Sequence, residues 1–238
     1  MDNLFKKQTA CLLVLLSLHG PAVQAQNSSS PGVPADFDTL QVHIQAEEIY
    51  KRAEYKRAFF IYRNELAPIG DKYGQYMVGY MYLRGRGVAE DRVTASAWYR
   101  LAAERDTPEF VSARDQLMAA LLPEETVRSD QAFVELRKQY SDVALLMHGI
   151  REDFETLRDH RRSRLLLNDA MRVDDLRPGR NPGTRSAEDY YDQIERRMRA
   201  RLKYIESRTG IAVATGNIQT ADLREIERQV GVHLESLD

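Results

Sequence analysis

Gly74-Gln75-Tyr76-Met77-Val78-Gly79-Tyr80-Met81-Tyr82-Leu83-Arg84-Gly85-Arg86-Gly87-Val88-Ala89-Glu90-Asp91, followed by Ala95, Trp98-Tyr99 and Ala102-Ala103, decides the fold of this chain. The stretch reads as two short helices joined by a glycine turn. Tyr76, Gly79, Tyr80 and Leu83 recur at helical spacing and share a face. Gly85-Arg86-Gly87 cannot comfortably extend that helix and supplies the permissive backbone that a tight reversal needs. Asp91 is placed to cap the second helix through its side-chain oxygen. In that helix Ala95, Trp98, Tyr99 and Ala102 return to one side, and the small alanines allow close approach of a partner helix.

The order Gly79, Tyr82, Gly85, Gly87, Asp91, Ala95, Trp98, Tyr99, Ala102, Ala103 closely resembles a Sel1-like repeat, a relative of the tetratricopeptide repeat. The resemblance covers one repeat clearly. It implies an all-α fold, a short α-solenoid of helix pairs with additional C-terminal helices, in which those residues are structural. It also implies a protein-interaction scaffold that assembles or regulates an envelope complex.

Upstream, two helices are expected, one around Leu40, Ile44, Glu47/Glu48 and Tyr50, the other from Tyr55 to Leu66, before Pro68-Ile69-Gly70-Asp71 ends the pair. Ala58, Ile61, Tyr62 and Arg63 align with Ala95, Trp98, Tyr99 and Arg100 at an offset of 37 residues, so 39–67 reads as a degenerate repeat without the glycine turn. Downstream, Thr107-Pro108 is a helix start with a capping threonine, and 107–122 resembles half of a further repeat. The repeat region is therefore 39–122.

A helical extension, 123–172, follows. Pro123 starts one helix and Ser141-Asp142 the next, in which Val143, Leu146, Ile150, Phe154 and Leu157 form a single seam. That seam is expected to pack on the end of the helical array, with self-association as the alternative. Residues 173–185, with Pro178-Gly179 and Asn181-Pro182-Gly183, read as a flexible loop or hinge. In the C-terminal segment 186–238, Ser186 caps a long helix to about Arg208 with the stripe Tyr190, Ile194, Met198, Leu202 and Ile205, and Gly210 stops it. Residues 211–219 read as a turn or one strand; Thr220 starts a last helix that Gly231 ends.

At the N-terminus, Lys6-Lys7, the apolar run Cys11–Leu18 and the small residues Val23 and Ala25 have the make-up of a secretory signal peptide, 1–25, cleaved after Ala25. A polar linker, 26–38, follows, and the location expected is periplasmic or secreted. The apolar run is too short to span a bilayer, which takes about 20 residues, so no transmembrane segment is expected after cleavage. Cleavage removes Asp2, Lys6, Lys7 and the only cysteine, leaving 32 basic and 35 acidic residues of the original 34 and 36, a net charge of −3. A mature chain without thiols has no disulfide, cysteine nucleophile or thiolate metal site.

No chemistry-bearing motif stands out. His43, His148, His160 and His233 are isolated in sequence, without the pair spacing a zinc site needs. Glu47-Glu48, Glu124-Glu125 and Asp174-Asp175 are adjacent on the chain and read as solvated surface. Neither a nucleophile elbow nor a phosphate-binding glycine loop is present. The expectation is a non-enzymatic protein without cofactor or metal. Candidate partner-binding residues are Tyr73, Tyr76 and Tyr80, from a dense tyrosine cluster, with Arg84 and Arg86 beside them. A second set is Arg196, Arg197, Arg199 and Arg201. They lie in 158–208, where 14 Lys/Arg stand against 9 Asp/Glu. That basic stretch supports an alternative function, binding of an anionic envelope polysaccharide or lipid. The export signal argues against nucleic acid.

Overall fold

Glycine, proline and capping residues punctuate this chain into helices. In a computed structural model, residues 37–163, 172–174, 184–213 and 218–236 are described. The expected signal peptide and most of the linker lie outside them. The helices are α1 (Phe37–Lys51), α2 (Tyr55–Ile61), α3 (Lys72–Arg84), α4 (Arg92–Ala102), α5 (Pro108–Met118), α6 (Pro123–Tyr140), α7 (Asp142–Ser163), α8 (Ala187–Thr209) and α9 (Thr220–Glu235). The described residues are thus all-α apart from one ribbon. Its strands, β1 (Arg172–Asp174) and β2 (Thr184–Ser186), pair antiparallel with Val173 opposite Arg185. The segment expected to be a loop is therefore bracketed by paired strands, and 175–183 lie outside the described residues.

Two compact units divide at Ser141/Asp142. The boundary falls inside the segment 123–172 that the sequence reading kept together. α6 packs on α4, whereas α7 packs on α8, so the extension is shared between the units.

The first unit is built around α3. Every residue from Lys72 to Met81 is buried, so this helix has no solvated face over that length. Asp71 caps it, its Oδ1 accepting from the Gly74 amide at 2.5 Å. Gly85 ends it in the left-handed conformation (φ +61°). Two glycines permit backbone approaches that no other residue allows. A Cβ on Gly79 would lie 2.7 Å from the Tyr99 ring, so its absence lets α4 dock on α3. A Cβ on Gly87 (φ +77°) would lie 2.4 Å from the Tyr55 carbonyl oxygen, so the turn rests on the first residue of α2. Asp91 then caps α4, accepting from the Val93 and Thr94 amides at 2.9 and 3.0 Å.

The preceding pair solves its reversal differently. α1 and α2 are joined at Arg52-Ala53-Glu54, with Ala53 itself left-handed at φ 60°. α2 continues as a wide π turn (Tyr62–Leu66) and a short 3-10 turn (Ala67–Ile69) that places Pro68 before the left-handed Gly70. Proline at the first turn starts α5, but the Thr107 side chain makes no capping hydrogen bond. α4 is the common partner of α3, α5 and α6, which buries Trp98 and Tyr99 almost completely. On the α6 side, Ser96 and Ser129 share a buried 2.6 Å hydrogen bond, and Arg100 pairs with Asp130 at 2.6 Å.

In the second unit α7 packs against α8 and α9. The seam Val143, Leu146, Ile150, Phe154 and Leu157 is buried with Ile194, Met198, Leu202 and Ile205 of α8 and Leu223, Ile226, Val230 and Leu234 of α9. It is consumed inside its own unit and offers no surface for self-association. Each fully buried aliphatic side chain of this kind contributes about 1.5–3 kcal/mol. Gly231 does not end α9, which runs on to Glu235 and thereby buries Leu234. Residues 211–213 and 218–219 are neither helix nor strand, although Ile218 is buried.

Candidate functional site

The residues singled out on α3 fall into two groups. Tyr73, Tyr76 and Tyr80 are all at least nine-tenths buried, so they are core rather than surface anchors. They fill the interior as a stacked ladder. Tyr76 lies nearly parallel to Tyr99, with centroids 5.0 Å apart, and 5.2 Å from Phe110 of α5. Tyr73 and Tyr80 flank it, and His43 of α1 lies beside Tyr73. The cluster is dense because four helices, α1, α3, α4 and α5, contribute rings to it, a cause invisible in the spacing on α3 alone. Tyr82 is half-buried and meets Phe59 edge-on.

Arg84 and Arg86 are the group that remains accessible. Arg84 closes α3, and Arg86 sits between the two turn glycines; both are half-buried. The Arg86 guanidinium lies over Tyr55, Tyr50 and Tyr80 at 5.1, 5.6 and 5.8 Å and donates a hydrogen bond to the Tyr50 hydroxyl. Arg84 lies over Tyr80 at 5.9 Å. Neither forms an ion pair with a carboxylate of the described residues. Burial, reinforced by Tyr80 and opposed by Arg86, pushes the Tyr50 hydroxyl up to about 12. Burial also pushes Tyr76 up to about 12 and holds Tyr99 well above its ordinary value. These rings are neutral at physiological pH, and their faces offset only part of the two cationic charges. Beside them, Arg84 Nε is buried and has no hydrogen-bond partner among the described residues.

A polar cluster under the Pro68–Asp71 turn escaped sequence reading entirely. His43 Nε2 lies 2.6 Å from Asp71 Oδ2, both side chains buried. Glu47, expected to be solvated, accepts hydrogen bonds from the buried Tyr62 and Tyr73 hydroxyls. Lys72 is fully buried and donates to Glu104 Oε2 at 2.6 Å and Gln75 Oε1 at 3.2 Å. Gln75 in turn donates to the Tyr140 and Ala67 carbonyls. Each buried polar group here has a partner, which marks the cluster as a structural network joining α1, α3 and α6. Its only sequence signal is a lysine and a glutamine on the buried stretch of a helix.

The basic candidates of α8 are largely engaged. Arg197 and Arg201 both bind the buried Asp153 carboxylate of α7, Arg201 at 2.7 Å. Burial lowers the Arg201 pKa, with Asp153 opposing that shift. Gly149 leaves room for this guanidinium, since a Cβ there would lie 2.6 Å from Arg201 Nη1. Arg199 pairs with Glu195 on its own helix at 2.6 Å, and Arg196 donates to the Asp192 carbonyl. His160 stacks on Tyr191, and the side chains of 161–186 lie outside the described residues. Among the described residues, no group of three metal-ligating side chains is assembled. No described helix is long and apolar enough to cross a membrane. No family profile, curated protein or solved structure matches the chain.

Proposed function

We propose that this chain is an exported, non-enzymatic interaction scaffold that uses a short Sel1-like α-solenoid, α1 to α6, to hold a protein partner in the cell envelope. The observation that carries this reading is the pair Arg84 and Arg86. Two half-buried cations without a carboxylate partner among the described residues stand at the turn of the α3–α4 helix pair. Exposed arginine backed by aromatic rings is a frequent contributor to protein interfaces. Such a helix stack positions them without needing a cavity. The signal peptide expected at 1–25 places the partner outside the cytoplasm.

Crosslinking the exported full-length chain in its native envelope, followed by pull-down, tests the reading. A discrete protein partner captured by the wild type and lost in Arg86→Glu supports it. Capture of nothing above a mock control overturns it. The alternative, a binder of anionic polysaccharide or lipid through 158–208, is less favoured, because three of the four α8 arginines are occupied by Asp153 and Glu195. Retention on heparin at low salt that vanishes in Arg196→Glu/Arg199→Glu would reinstate it.

A further inference from the structure

Buried donors without acceptors are rare in folded proteins, and each needs a physical account. One occurs at the end of α3, where Arg84 Nε is buried with no hydrogen-bond partner among the described residues. The Arg84 guanidinium lies over the Tyr80 ring at 5.9 Å. Arg86 adds a second cation two residues away, over Tyr50, Tyr55 and Tyr80. Leaving a buried donor unmade costs about 1–3 kcal/mol, a cost that a bound acceptor would remove. The two guanidinium groups carry donors and positive charge, with no carboxylate in contact among the described residues. Its complement is an oxygen anion.

We infer that Arg84 and Arg86 form a carboxylate-recognition site for an acidic, extended segment of the partner protein. This inference rests on the scaffold reading and names the chemistry of its partner. A guanidinium presents its donors as a planar fork that matches a carboxylate. Arg84 ends α3 and Arg86 lies in the exposed turn behind it, so the anion arrives from solvent on a passing chain. Two cations close in sequence favour a segment with consecutive Asp or Glu. Tyr50 and Tyr55, half-buried at the rim, provide apolar surface for the intervening backbone.

Calorimetric titration of the full chain with acetylated, amidated hexaglutamate at low salt tests this. The wild type binds the probe, Arg84→Met weakens it at least about tenfold, and Arg199→Met on α8 leaves it unchanged. No heat with the wild type, or equal affinities for the wild type and Arg84→Met, overturns the site. Displacement of the probe by equimolar inorganic phosphate overturns the carboxylate in favour of a phosphate group. Probe binding without any partner captured from the envelope sinks the scaffold reading alone, whereas capture that survives Arg84→Met sinks this inference alone.

Discussion

Arginine does opposite things in the two units. On α8, Arg197 and Arg201 close on Asp153, a carboxylate delivered by α7 and itself almost inaccessible. At the end of α3, Arg84 and Arg86 meet tyrosine rings and a phenol oxygen, and no carboxylate of the described residues. Both pairs looked alike as candidate binding residues, because both are local clusters of positive charge. What separates them is whether another helix brings an acid to the same place. A satisfied triad holds a fold together, and an uncompensated pair is available to a ligand.

The largest effect expected is at the turn that positions the uncompensated pair. Gly87→Val drives a Cβ into the Tyr55 backbone and strains φ, and should cost about 3–5 kcal/mol, seen as loss of the cooperative urea transition. Gly85→Val meets nothing closer than 3.4 Å and should cost about 1–2 kcal/mol from backbone strain alone. Equal losses at the two positions would mean that the close approach to α2 is unimportant.

Asp153→Asn attacks the other side of the comparison. It leaves two partly buried guanidinium groups without their anion and should destabilise by about 3 kcal/mol, whereas Arg199→Ala, an exposed helix pair, should change stability by less than about 0.5 kcal/mol. A loss below about 1 kcal/mol for Asp153→Asn would return Arg197 and Arg201 to the pool of binding residues.

A smaller loss, about 1 kcal/mol, is expected for Asp91→Ala through the α4 cap. Burial alone would raise the Asp91 pKa, but the Thr94 hydroxyl and the Thr94 and Val93 amides outweigh it and hold the carboxyl below its ordinary value. A depressed folded pKa means that the cap's contribution is complete above about pH 4 and is lost as pH falls through the folded value. Urea midpoints of the wild type and Asp91→Ala should therefore converge on acidification; a pH-independent gap would show that the ionised carboxylate is not what caps the helix. Smallest, and of opposite sign, Ala53→Gly should stabilise by about 0.5–1 kcal/mol, because glycine adopts the left-handed turn between α1 and α2 without strain.

Much of the first unit was legible. Glycine spacing, the Asp91 cap and the proline starts of α5 and α6 are local rules, and the helices follow them. Failures came where the outcome depends on distant neighbours. Gly231 permits a stop, but burial of Leu234 continues α9 through it. Tyr73, Tyr76 and Tyr80 have the amphipathic character of surface anchors, but His43, Tyr99 and Phe110 cover them. Glu47 is adjacent to Glu48 and looked solvated, but Tyr62 and Tyr73 claim it.

The amino-acid sequence by itself determined where helices begin, most of where they end, and the glycine reversal at Gly85 and Gly87, because backbone conformation and side-chain capping act within a few residues. Only the tertiary structure decided which charges are neutralised and which rings are buried. Those outcomes join residues 26 to 77 positions apart, such as Tyr73 with Glu47, Arg197 with Asp153 and Arg63 with Tyr140. Electrostatic and hydrophobic energies depend on distance in space, and the chain sets that distance only once it has folded.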